Sequence, residues 1–166
     1  MPVQFAERTP LPAPPAQAFA VLVDPDFLAA RAQRSGALEH TESVTTEGAV
    51  TVVSSTRTVP TTGLPQAASR FLGSTAVVEQ VERWEPADAD GSRRGSLRLT
   101  VRGAPVELLA AATLSAGEGG CVHELSGALT VQVPLFGGTV EKAALPGLLD
   151  LVRAEIGLAR ERLSAR

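Results

Sequence analysis

The stretch LFGGTVEKAALPGLLDLV, residues 135–152, sets a glycine pair ahead of a helical pattern with a proline in its middle. A glycine pair at a helix start can offer backbone N–H groups to an anion. A phosphate-cradling loop, however, spaces its glycines by four residues and follows them with Lys and Ser or Thr. Gly137-Gly138 has neither feature, and it follows a segment rich in valine and proline. It reads as a tight strand-to-helix turn, with Gly138 or Thr139 near the N-cap. Beyond it, Leu145, Leu148, Leu149, Val152, Ile156, Ala159 and Leu163 share one stripe at helical spacing. Glu141, Asp150, Arg153, Arg160 and Glu161 fall on the opposite side. A proline inside a helix costs about 3 kcal/mol, whereas burying some six large apolar side chains contributes roughly 10 kcal/mol. Packing outweighs the proline, so one long terminal helix is expected, kinked at Pro146-Gly147 rather than broken.

Upstream of this helix the period is mostly two. Residues 3–9 alternate as a short strand. Residues 13–36 then read as two short helices. Pro14 and Pro15 suit a first helical turn, and Phe19, Leu22 and Val23 form the first stripe. Asp24 caps the second helix with Pro25 behind it, and Gly36 ends it. Residues 37–48 and 49–59 flank a hairpin turn at Glu47-Gly48. Residues 60–73 break the pattern as a loop with one helical turn before Phe71. Three further runs follow, and Gly103-Ala104-Pro105 splits the middle one. The connections are short and hold no crossover helix, so the strands are expected to run antiparallel. The fold class is therefore α+β: one strand, two short helices, about six meandering strands and a long last helix. No repeat or linker divides residues 1–166, so a single domain is expected.

Composition excludes several functions. A net charge of −3 gives no long-range attraction to nucleic acid or anionic membrane. Arg94, Arg98 and Arg102 do form a basic stripe, yet the chain has no tyrosine and five phenylalanines to stack bases. Cross-strand pairing with Glu79 or Glu85 is the plainer account. No apolar run approaches the ~20 residues of a membrane span, so no stable membrane insertion is expected. Cys121 is the only cysteine, which suits a reducing compartment. The first residues show no secretory signal pattern, and a cytoplasmic location is expected. Cys121, His123 and His40 are too few and too scattered for a zinc site, so no metal and no cofactor are expected. Cys121 beside His123 lacks a third, orienting group, and no catalytic residue is assigned.

The order of elements carries a resemblance. Pro14-Pro15 through Phe19, the Asp24-Pro25 corner, and Pro134 through Lys142 leading into the last helix resemble the START-like superfamily. This group is also called SRPBCC, or polyketide-cyclase-like and birch-pollen-allergen-like, and the resemblance covers essentially the whole chain. It implies a helix-grip fold, in which a curved antiparallel sheet of six or seven strands wraps the C-terminal helix and leaves a cavity. It further implies binding of lipids, sterols, polyketides, quinones or plant hormones, with catalysis only in some branches. The superfamily has no common catalytic motif to carry over.

The residues supply candidates for such a cavity. Leu97, Leu99 and Val101 share one strand face, Ala110 and Ala112 the next, and His123, Leu125, Gly127 and Leu129 the last. The small residues among them either leave room for a ligand or let the helix pack closer. For residues 76–84 two faces are open. If Gln80, Glu82 and Trp84 point inward, the cavity gains an aromatic wall and two polar anchors. Phe71 and Leu64, with the loop holding Pro60, Gly63 and Pro65, form either an entrance lid or a plug. Phe136, Leu145 and Leu149 complete the candidate ligand contacts. The expected function is binding or carriage of a small hydrophobic ligand: a lipid, polyketide, sterol or quinone-like molecule. Two alternatives stand: a cyclase- or hydratase-type enzyme using His123, Glu82 or Glu124, and a scaffold with a filled interior acting through a protein partner.

Overall fold

Prolines and one carboxylate shape the N-terminal third. The protein, seen here as a computed structural model, is described over residues 2–64 and 66–166. Strand β1 (Val3–Leu11) leads to α1 (Pro15–Leu22), whose first position is Pro15, where the missing N–H has no partner to lose. Asp24 then caps α2 (Pro25–Arg34): its carboxylate accepts from the N–H of Asp26 at 2.7 Å and of Phe27 at 3.4 Å. Asp24→Ala is expected to lower stability by about 1 kcal/mol, seen as a lower urea midpoint at unchanged slope. An unchanged midpoint would show that the cap does not hold this corner.

The remaining strands form one meander: β2 (Glu39–Glu47), β3 (Val50–Pro60), β4 (Thr75–Trp84), β5 (Arg93–Val101), β6 (Val106–Gly117) and β7 (Gly120–Val131). The hairpin turn falls one residue later than expected. Glu47 pairs with Val50, so Gly48 and Ala49 make the turn, and Gly48 takes φ 61° at the position that favours glycine. Between β3 and β4, α3 (Gln66–Leu72) is longer than a single turn and includes Phe71. The break at residues 103–105 separates β5 from β6.

All seven strands join one antiparallel sheet in the order β1-β7-β6-β5-β4-β3-β2. Helices α1 and α2 carry the chain from one edge strand to the other. The last helix, α4 (Gly137–Ser164), lies against the curved sheet and packs on β7, β1, α1 and α2. This is the helix-grip arrangement. Val21, Phe27, Leu28, Leu108, Leu114 and Ala159 are among its fully covered core side chains.

α4 runs unbroken through Pro146, as expected. Two other details of the helix differ from the expectation. Its entry turn is made not by the glycines but by Leu135 at φ 69°, with Phe136 as an N-cap lacking a side-chain bond and Gly137 already helical. Gly137 instead allows close approach: a Cβ there would collide with the Val131 carbonyl. Glu141, expected on the solvent side, is buried and accepts the Val131 N–H at 2.7 Å, tying the helix start to the end of β7.

Candidate functional site

Because α4 rests on β7 and β1, it leaves a gap over the middle of the sheet. The gap leaves about 700 Å³ of atom-free space, its mouth included. The interior proper is narrow, with about 50 Å³ open to the centres of water-sized molecules. That holds a few waters, and a larger guest must part the helix from the sheet.

The register of β4 settles which face it presents. Glu82 pairs with Val53 and Leu97, and Trp84 with Gly95. Ala76, Gln80, Glu82 and Trp84 are buried, while Arg83 is exposed. Trp84 fits because Gly95 has no side chain; a Cβ there would lie 2.8 Å from the indole. The cavity is therefore lined by Trp84, Gln80 and Glu82 of β4, Leu97 and Leu99 of β5, Ala112 of β6, and His123 and Leu125 of β7.

Sequence reasoning missed the other half of the lining. Leu22, Phe27 and Arg31 come from α1 and α2, Leu108 from β6, and Leu148, Leu151, Val152, Glu155 and Ile156 from α4. Arg31 and Glu155 belong to a buried polar network. Arg31 Nη1 donates to Glu82 Oε1 at 2.7 Å and lies 4.0 Å from Glu155 Oε2. Arg57, on the inner face of β3, donates from Nη1 to Glu155 Oε1 at 2.9 Å and from Nη2 to Gln80 Oε1 at 2.6 Å. Gln80 Nε2 donates to Glu82 Oε1 at 2.7 Å, and Trp84 Nε1 to Glu82 Oε2 at 3.4 Å. The signal for these residues was a charged side chain at an apolar-stripe position. Arg31 follows Phe27 and Leu28 by helical spacing, Glu155 follows Leu148 and Val152, and Arg57 follows Val53 and Ser55 at period two.

Burial alone raises the Glu82 carboxyl, but the charge and hydrogen bond of Arg31, helped by Gln80 and Trp84, outweigh it and hold the group below its ordinary range. Burial likewise lowers Arg31, and Glu82 and Glu155 more than reverse it. Glu82 is thus ionised. For His123, burial dominates over the pull of Glu82 and Glu124 and holds the imidazole below its ordinary range. The unfolded chain then takes up that proton first, so stability falls as pH drops below about 6.5 toward the folded-state value. His123→Leu is expected to flatten this part of the stability profile, measured as urea midpoints between pH 7 and 5. An identical slope in both proteins would contradict the assignment.

Other candidates lie elsewhere. Phe71 on α3 and Phe136 at the start of α4 are more than half exposed, and neither lines the cavity. The strand register places both at the end of the sheet where Pro60 pairs with Thr75 and Val106 with Val131, beyond the cavity. Leu64 is also exposed, and Pro65 lies outside the described residues. Ala110 and Leu129 pack into the core beside the cavity, as do Leu145 and Leu149 on α4, while Val101 is half-buried on the Leu99 face of β5 and does not line the cavity. Glu124 points outward and pairs with Arg8 at 3.0 Å, so it cannot serve as an acid or base inside. Burial raises the Cys121 thiol, the wrong direction for a nucleophile. The outer arginine stripe is spent on pairs: Arg94 with Glu85, Arg98 with Glu107, and Arg102 with Glu79. Among the described residues no three His, Cys, Asp or Glu side chains gather as metal ligands, and no helix is long and apolar enough to cross a membrane.

The family described as Protein of unknown function (DUF2505) matches residues 7–163. Among solved structures, the protein TTHA0849 from Thermus thermophilus is 17% identical, with a TM-score of 0.63 over 99% of this chain and 98% of that one. The Zhui aromatase/cyclase from Streptomyces sp. R1128 is 11% identical, with a TM-score of 0.65 over 100% and 96%. Human STARD10 is 11% identical, with a TM-score of 0.60 over 94% of this chain and 62% of its own. At such identities the likeness shows the START-like, SRPBCC fold alone. No curated protein matches the sequence.

Proposed function

The chain belongs to the DUF2505 family, and from its helix-grip fold and cavity we propose that it binds or carries a small hydrophobic molecule between α4 and the sheet. The observation that carries this reading is the composition of the lining. An apolar wall of Phe27, Trp84, Leu97, Leu99, Leu125, Leu148 and Val152 meets a polar end at Arg31, Gln80, Glu82 and Glu155, with His123 also on the lining. Small-molecule sites have this character, an apolar body with a few placed polar groups. The interior, about 50 Å³, is smaller than such sites usually are, so entry of a ligand is coupled to movement of α4.

Trp84 is the only tryptophan, so its emission reports occupancy. Incubation with a lipid or polyketide extract is expected to leave a bound species visible by native mass spectrometry and to shift Trp84 emission. Ala112→Leu, which fills part of the cavity, is expected to reduce both signals at least tenfold. Persistent absence of any bound species would count against the reading.

One observation favours a second reading, an enzyme of cyclase or hydratase type. Two titratable side chains, Glu82 and His123, both line the cavity, and one structural neighbour is described as an aromatase/cyclase. Glu82 already serves Arg31, Gln80 and Trp84, which leaves neutral His123 as the base. Turnover of a bound polyketide-like ligand, lost in His123→Leu with binding retained, would establish it.

A further inference from the structure

We propose that the polar end of the cavity recognises an uncharged carbonyl oxygen, with Arg31 Nη2 as the donor. The proposal rests on the ligand-binding reading above and narrows the ligand to a neutral ketone- or quinone-type molecule. Arg31 projects from the apolar stripe of α2, is 5% exposed, and lines the cavity. Its Nη1 serves Glu82, but its Nη2 is buried with no hydrogen-bond partner among the described residues. An unpaired buried N–H on a cation is costly, and an acceptor entering the cavity removes that cost. Arg57 Nε is also unpaired, but Arg57 does not line the cavity.

Charge selects the kind of acceptor. Arg31 and Arg57 carry two positive charges, Glu82 and Glu155 two negative ones, and the four are linked within 4.0 Å. The network is neutral as it stands. A carboxylate entering beside Arg31 adds an unbalanced negative charge next to two existing carboxylates in a desolvated space. A neutral carbonyl supplies lone pairs without that charge. It also brings no hydrogen of its own, whereas a hydroxyl needs a further acceptor.

A matched bicyclic series tests this directly: α-tetralone, the hydrocarbon tetralin, and tetralin carboxylate, each titrated calorimetrically into the full chain at neutral pH. α-Tetralone is expected to bind about tenfold or more tightly than either analogue. Arg31→Lys keeps a cation against Glu82 but places no nitrogen where Nη2 stood, and it is expected to erase the preference for the ketone while tetralin still binds. Circular dichroism confirms that the variant is folded; should it not fold, the ranking of the three compounds on the unaltered protein decides alone. Equal binding of tetralin and α-tetralone, tightest binding of the carboxylate, or a preference that survives in folded Arg31→Lys overturns the carbonyl proposal and leaves ligand binding standing. Failure of all three compounds to bind overturns the ligand-binding reading and the proposal with it.

Discussion

Glu82→Ala is expected to lower the unfolding free energy by about 3–5 kcal/mol, the cost of removing one partner from a buried ion pair. Glu82 Oε1 receives Arg31 and Gln80, both at 2.7 Å, and Oε2 receives Trp84 at 3.4 Å. Without the carboxylate, Arg31 remains buried with Glu155 at 4.0 Å as its nearest anion. Glu124→Ala, which breaks the exposed pair with Arg8, is the control and is expected to cost about 1 kcal/mol or less. The double variant Arg31→Met/Glu82→Leu removes both charges at once. It is expected to recover most of the loss, because an apolar pair of similar volume does not carry a stranded charge. Urea midpoints of the single, double and control variants separate these cases. A single variant as harmless as the control would show that this pair does not hold α2 onto β4.

The same pair dictates a pH dependence. Arg31 holds the Glu82 carboxyl below its ordinary range despite burial, so the folded state releases this proton more readily than the unfolded chain. The stabilisation is complete above the unfolded value, about 4.3, and is lost as pH falls through the folded one. Glu82→Gln is therefore expected to be less stable than the unaltered protein at neutral pH and less sensitive to acid below about pH 4. This window opens at about 4.3, whereas that of His123 opens at about 6.5, so the two onsets can be read from one pH series.

The order of elements was legible because each boundary has a local cause. Asp24-Pro25 is a cap followed by a first-turn proline, the period of two marks the meander, and the stripe from Leu145 to Leu163 marks α4. The face of β4 was not legible. Valines occupy both sides of TAVVEQVERW, and only pairing with β3 and β5, with Trp84 seated over Gly95, turns Gln80 and Glu82 inward. The arginines were missed for a related reason. A charge on an apolar stripe has no meaning until its partner is known, and Arg31 meets Glu82 across 51 residues while Arg57 meets Glu155 across 98. Phe71 and Phe136 misled in the opposite direction. Their apolar character suggested a rim residue in Phe71 and a ligand contact in Phe136, but the register places both at the end of the sheet, away from the middle of α4 where the cavity lies.

Gly127→Ala is expected to cost about 3 kcal/mol or more, at the upper end of overpacking effects. Read with Ala110 and Ala112, this glycine looks like space left for a ligand, yet it does not line the cavity. It pairs with Ala110 of β6 on one side and Phe5 of β1 on the other, in the interior of the sheet. A Cβ would lie 2.6 Å from the Ala110 Cα and 2.7 Å from its Cβ, and closer still to the Leu109 carbonyl. These are mostly backbone atoms of the neighbouring strand, which cannot rotate away as a side chain can. To admit a methyl group, β6 and β7 must separate, as befits a strand glycine where another backbone approaches closely. Gly138→Ala is the matching control: its Cβ would meet nothing within 4 Å, and alanine in a helix is expected to be neutral or stabilising by up to about 1 kcal/mol. Thermal and urea midpoints of the two variants decide the matter, and equal effects would refute a special role for Gly127. His123 and Leu125 sit on β7 four and two residues before the glycine and form part of the cavity wall. A strand pushed away from β6 therefore displaces that wall, and Gly127→Ala is expected to weaken ligand binding although the altered residue does not line the cavity.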